Sequence, residues 1–426
     1  MLRNPIARGL GLSTVCCAAA LANGADAELP APIAASVAAP TAPVSATDMR
    51  VFWNNGLCFE TADKQYAYSL SGRIHLDGTY IDAAPGLDTA PGGPSDADRV
   101  AFRRTRLQFD GVFYESFAFR TSYDFAGGSA NFRDVYVQLR KLRWGTTLWL
   151  GQYREPFGLD QLNSSNDNAF LERSLVDILS PGRSTGVALS GAAQKGKVSW
   201  SVGVFHANST ASVGTGAGDG AYAATGRLTW APVMNDAGTD VVHMGVALSQ
   251  RENVENYDRS VTRPEFDATG NWIVADFDAV DSVTLMGAEA AMLHGPLGLQ
   301  GEFVQAEIDG ANGDTNRSAY GYYVQATYGL TGEGRTYKGA VIQRPKPTTP
   351  YAGPGTGCGA WELAARYSFL DLGTGAIESN DAKSMTVGIN WYANTALAVR
   401  LNYVLADFDS VDATANAVGL RVQVVF

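Results

Sequence analysis

Nothing in this 426-residue sequence narrows the fold more than a two-residue rhythm running through its C-terminal half. In Trp361-Glu362-Leu363-Ala364-Ala365-Arg366-Tyr367-Ser368-Phe369 the odd positions are apolar or aromatic and the even ones small, polar or charged. Met385, Val387, Ile389 and Trp391 oppose Ser384, Thr386, Gly388 and Asn390 in the same way. Leu397, Val399, Leu401 and Tyr403 oppose Arg400 and Asn402, and Val418, Leu420, Val422, Val424 and Phe426 oppose Arg421 and Gln423. Side chains of a strand point alternately to its two faces, so this rhythm marks strands with one apolar and one polar face.

A soluble sandwich alternates too, and three features argue instead for a closed barrel that spans a membrane. Several segments exceed the usual strand length of roughly 5 to 6 residues. Aromatic residues gather near segment ends at Phe113, Phe117, Tyr153, Trp230, Trp391 and Tyr392, where interfacial girdles would lie. The chain also stops at Phe426 inside its last segment, an expected terminus for an outer-membrane barrel.

Sixteen segments read as strands: 65–82, 99–113, 117–125, 132–140, 146–153, 185–192, 197–206, 221–230, 241–251, 283–292, 297–307, 318–329, 360–371, 382–392, 395–405 and 413–426. An even number suits an antiparallel barrel whose two ends lie on one side. Short turns at Tyr114 to Ser116, Lys141 to Gly145, His294 to Pro296 and Ala393-Asn394 alternate with longer loops, matching periplasmic turns and external loops. Residues 331–359 break the pattern, a long connection where a periplasmic turn is expected.

The first residues carry Arg3 and Arg8, an apolar stretch from Gly9 to about Ala22, and Ala25-Asp26-Ala27, the pattern of a secretory signal peptide over 1–27. Its apolar part is too short to cross a bilayer, and no later run reaches the roughly 18 apolar residues of a membrane helix. Residues 28–48 are Ala- and Pro-rich and read as a periplasmic linker, leaving 49–426 as one barrel domain. Cys16 and Cys17 fall in the signal; Cys58 and Cys358 lie on the periplasmic side, where an oxidising compartment leads us to expect a disulfide between them.

The net charge of −11 argues against a nucleic-acid partner. No nucleotide loop, His/Cys metal pair or redox motif is present, so no cofactor or metal is expected. Of His75, His206, His243 and His294, only His206, near Asn208 and Ser209, has neighbours that a barrel enzyme would use; the chain is read as not an enzyme.

By parity the third external loop is residues 154–184, long enough to fold inward and narrow the wide tube of 16 strands. Here the sequence resembles the phosphate-selective porin O and P family. The resemblance rests on Trp149-Leu150-Gly151-Gln152-Tyr153-Arg154-Glu155-Pro156-Phe157-Gly158, Leu171-Glu172-Arg173-Ser174 and Pro181-Gly182-Arg183-Ser184-Thr185-Gly186-Val187. Arg99 to Asp110 and Gly359 to Ser368 add to it, and the similarity runs from about Trp53 to Phe426. It implies an all-β, 16-stranded antiparallel transmembrane barrel with an inward-folded third external loop, in the outer membrane of a Gram-negative bacterium. It further implies a homotrimer, surrounded by outer-membrane lipid and lipopolysaccharide, that passes small anions such as phosphate.

If the apolar faces meet lipid, the opposite faces put Arg104, Arg106, Arg120, Arg140, Arg366, Arg400 and Arg421 in the lumen, with Arg154, Arg173 and Arg183 on the constriction loop. Guanidinium binds phosphate or carboxylate in two-point fashion and stays charged at any relevant pH. The alternative role is bracing, with the arginines paired to Asp110, Asp124, Asp134, Glu289, Glu302 and Glu362. Lysines are few, with Lys141, Lys195, Lys197, Lys338 and Lys346 at turns or in the 331–359 connection. A nonselective or sugar-passing porin is the nearest rival, but the aromatic residues mostly fall on the lipid-facing parity instead of forming a stacking track inside.

Overall fold

The computed structural model describes residues 45, 48–84, 87, 98–207, 221–252, 259–261, 265–267, 273–275, 280–310, 316–373, 381–409 and 413–426. The expected signal peptide and nearly all of the expected linker, and Asn208 and Ser209, lie outside these described residues. The strands are β1 (Met49–Trp53), β2 (Leu57–Thr61), β3 (Tyr66–Ala83), β4 (Arg99–Phe113), β5 (Phe117–Asp124), β6 (Asn131–Leu139), β7 (Thr147–Arg154) and β8 (Arg183–Ala193). They continue as β9 (Val198–His206), β10 (Tyr222–Met234), β11 (Asp240–Glu252), β12 (Arg259–Val261), β13 (Ile273–Ala275), β14 (Val280–His294), β15 (Leu297–Gly310) and β16 (Arg317–Gly329). The last are β17 (Thr336–Lys338), β18 (Val341–Gln343), β19 (Ala360–Asp371), β20 (Asp381–Tyr392), β21 (Leu397–Phe408) and β22 (Ala413–Val425).

Sixteen of these, β3 to β11, β14 to β16 and β19 to β22, pair antiparallel in chain order. The ring closes where β22 pairs with β3 from Ala415↔Ala83 to Val425↔Arg73. Closure leaves no open edge in the wall, which a bilayer without hydrogen-bonding solvent requires. Phe426 continues the seam by accepting from and donating to the Gly72 backbone. A Cβ at Gly72 would lie 2.5 Å from the Phe426 ring, so the closing register needs glycine there.

The two-residue rhythm reads directly as two environments. In β19 the even residues are buried and Trp361, Leu363 and Tyr367 are exposed on the outside, where lipid replaces water. Inside, the wall is polar: Arg366, Ser368, Thr386, Asn390, Arg400, Asn402, Arg421 and Gln423 are all buried. Two of the expected girdle aromatics face inward instead. Tyr392 lies on the even face of β20 and donates to Glu362 at 2.9 Å. Tyr153 has the same odd parity as Thr147 and Trp149 on β7, whose ladder to β8 runs without a register shift, and all three line the interior.

Several element ends differ from the sequence reading for local reasons. Strand β10 runs on through Pro232 to Met234 because its ladder with β11 shifts register between Trp230 and Val233, removing the need for a proline N–H. A hairpin of β1 and β2 precedes the barrel and pairs with the start of β3. Cys58 and Cys358 are both free. Cys58 belongs to β2, which extends the β22 position, and Cys358 precedes β19; three strand spacings of roughly 4.8 Å separate those positions on the rim, too far for a disulfide.

Candidate lumenal site

Residues 155–182, the third external connection, do not stand away from the barrel but hydrogen-bond to inward-facing wall residues. Glu302 of β15 accepts from the backbone N–H groups of Leu159 (2.7 Å) and Asp160 (2.6 Å), the otherwise unpaired donors at the start of the short helix α1 (Leu159–Leu162). Arg400 donates to the Asn166 carbonyl at 2.7 Å, Arg366 to the Glu172 carbonyl, and Arg421 to the Leu171 carbonyl. Phe157, Leu175, Val176 and Leu179 are buried in a cluster with Val304, Ile308, Tyr323 and Leu370 of the β15, β16 and β19 wall. Each such side chain contributes roughly 1.5–3 kcal/mol to holding the loop down.

The 331–359 connection folds inward as well, which resolves its unexpected length. Arg335 pairs with Glu362 at 2.8 Å and donates to the Asp167 carbonyl; the Ile342 N–H donates to Asn163 at 2.9 Å. Tyr337 and Ile342, from the β17–β18 hairpin, pack against Leu159. From the outside, Glu265 of the 253–279 connection pairs with Arg366 at 2.6 Å and Asp267 with Arg103 at 2.9 Å.

What these segments leave open is a cavity of about 590 Å3 on the β3 to β10 side, lined by Arg73, Arg106, Arg120, Arg154, Arg183 and Arg227. Among the described residues Asp134 is the one carboxylate in its lining. A second cavity of about 200 Å3 shares Arg73, Arg106, Gln108 and Asp134 with it. Arg73 stands directly opposite Arg106 across the β3–β4 ladder, and Arg154 opposite Arg183 across β7–β8. Like charges so placed oppose the pairing of their strands.

The ten arginines singled out in the sequence separate into distinct settings. Arg106 pairs with Asp124 (2.7 Å), Arg120 with Asp110 (2.6 Å) and Arg183 in two-point fashion with Asp134 (3.0 and 3.1 Å), and all three line the larger cavity with Arg154. Arg154 and Arg183 are the last residue of β7 and the first of β8, flanking the loop. Arg104, Arg366, Arg400 and Arg421 are buried against the inserted segments, and Arg173 donates within the loop to the carbonyls of Asp160 and Asn163. Arg140 is exposed beyond β6 and donates to Gln138 at 2.8 Å.

Glu172 is the electrostatic centre of the loop. Arg103 grips it with two 3.0 Å bonds, and Arg421 (3.0 Å) and Arg104 (3.5 Å) join. Burial alone would raise its carboxyl, but these guanidiniums outweigh that and hold it well below the usual carboxylate range. The parity of β4 hid Arg103: the ladder passes from His75↔Arg104 to Leu76↔Phe102, so Arg103 is an extra residue of a bulge and faces inward beside Arg104. Arg73 and Arg227 were also missed, although Arg73 shares its odd parity with the buried His75 and Asp77.

A family model described as phosphate-selective porin O and P matches residues 69–426. Porin O of Pseudomonas aeruginosa is 26% identical over 434 residues, covering 92% of this chain and 96% of that protein. Among solved structures, an anion-selective porin from Comamonas acidovorans superposes with a TM-score of 0.54 at 13% identity over 85% of this chain and all of that one. The trimer form of Vibrio cholerae OmpT, an outer-membrane protein, gives 0.53 at 14% identity, covering 85% and 99%. At such identities the structural likeness speaks to the fold.

Proposed function

Because the chain belongs to the phosphate-selective porin O and P family, a family of outer-membrane channels and not of enzymes, we propose that small anions cross it along the arginine-lined cavity. The observation that carries this reading is two pairs of directly opposed arginines, Arg73 with Arg106 and Arg154 with Arg183, around a space with one carboxylate among the described lining residues. Among the described residues Arg73 and Arg154 make no ion pair; they donate to the Ser165 hydroxyl and the Asn163 carbonyl. Their charge is left for a passing anion to neutralise. Because several guanidiniums surround the space, an anion can exchange partners stepwise without any one site holding it tightly.

Phosphate and related anions are the solutes this reading favours, in keeping with the two-point geometry of guanidinium. The protein would work as a homotrimer surrounded by outer-membrane lipid and lipopolysaccharide, and the trimer form of the Vibrio cholerae protein supports that assembly. The test is the reversal potential of single channels in a planar bilayer across a salt gradient. Anion preference is expected, and cation preference in the wild type overturns the proposal.

A further inference from the structure

One side of the larger cavity is not charged at all. Tyr136 of β6 and Trp149 and Tyr153 of β7 line it, with ring centroids 5.0 Å (Tyr136 to Trp149), 5.3 Å (Trp149 to Tyr153) and 5.9 Å (Tyr136 to Tyr153) apart. The Trp149 indole N–H is fixed by the Ser190 hydroxyl at 2.8 Å, so the ring is held in place. The Arg120 guanidinium stands 5.8 Å from the centroid of the Tyr136 ring, joining the aromatic side to the cationic one. The Tyr153 hydroxyl is buried and has no hydrogen-bond partner, and neither has Nε of Arg154, the next residue. An inorganic anion would use only the guanidinium side, while about 590 Å3 falls in the range of pockets that hold whole organic molecules.

Building on the anion-porin reading, we propose that this cavity selects small organic anions carrying a planar ring. The ring lies against Tyr136, Trp149 and Tyr153, and the acid group meets Arg73, Arg120 or Arg154. Aromatic contact adds to the shared electrostatic attraction, so of two phosphate monoesters with the same charge the ring-bearing one stays longer.

The experiment uses the full-length protein in planar bilayers and measures block of chloride current by phenyl phosphate, methyl phosphate and inorganic phosphate. Phenyl phosphate is expected to half-block at a concentration roughly fivefold below methyl phosphate. Trp149→Leu should bring the two esters together, while Trp149→Phe, which keeps a ring, should retain most of the difference. Equal block by the two esters in the wild type overturns the ring inference and leaves the anion reading intact; that arm needs no variant to fold. Cation preference with no block by any of the three overturns the anion reading itself.

Discussion

At the residue scale, identical side chains on one wall do different work according to what closes around them. Arg73 and Arg154 face open space with neutral partners, whereas Arg104 is buried against Glu172 and His75. Replacing Arg73 and Arg154 together by Ala is therefore expected to lower the anion-to-cation permeability ratio, read from reversal potentials, with little change in thermal stability. Arg104→Ala should do the reverse, leaving selectivity nearly unchanged and loosening the loop, because breaking one side of a buried ion-pair cluster costs on the order of 3–5 kcal/mol. Heat-shifted gel mobility would register that loss. If Arg104→Ala changes selectivity as much as the double variant does, the division between lining and bracing arginines fails.

At the scale of elements, the 155–182 loop has two independent anchors. The apolar one is the buried Leu175–Leu179 segment against the β15, β16 and β19 wall. Leu175→Ala with Leu179→Ala removes two buried side chains at about 2–5 kcal/mol each. The expected result is a noisier open channel and faster proteolytic cutting of the loop. The polar anchor is Glu172 beneath three guanidiniums, and its sign with pH follows from its depressed carboxyl. A carboxylate held below its ordinary value stabilises the docked loop above that value and loses the contribution only as pH falls through the depressed one. Conductance should thus stay constant from neutral pH down to 4.5, the ordinary glutamate value, and change only in stronger acid. Glu172→Gln should show the acid-like conductance already at neutral pH, and a change of the wild type centred near 4.5 would contradict the assignment.

At the scale of the whole molecule, the net charge of −11 and the arginine-lined cavity proposed as the passage oppose one another. The passage should prevail because a narrow route with low-dielectric walls feels its nearest charges, while distant ones are screened within about 10 Å at 0.1 M salt. Raising salt to 1 M shortens that length to about 3 Å. Anion preference is then expected to decline between 0.1 and 1 M, and a ratio independent of salt would mean that selectivity comes from size alone.

The strand count, the order of pairing and the lipid-facing and lumenal sides of β19 to β22 were legible in the sequence, because a period of two leaves a strand only one way to bury each face. The pattern also put Arg106 and Arg120 inside the barrel. Two matters belonged to the tertiary structure alone. The bulge at Arg103 reverses parity by a single residue, which alternation counted along one strand cannot detect. Above all, which arginines remain open was decided by where the 155–182 and 331–359 segments come to rest, since Arg366, Arg400 and Arg421 share the alternation of lumenal residues yet are covered by inserted chain. A strand's own sequence dictates which face a side chain takes; only the packing of distant segments inside the ring decides whether that face stays open.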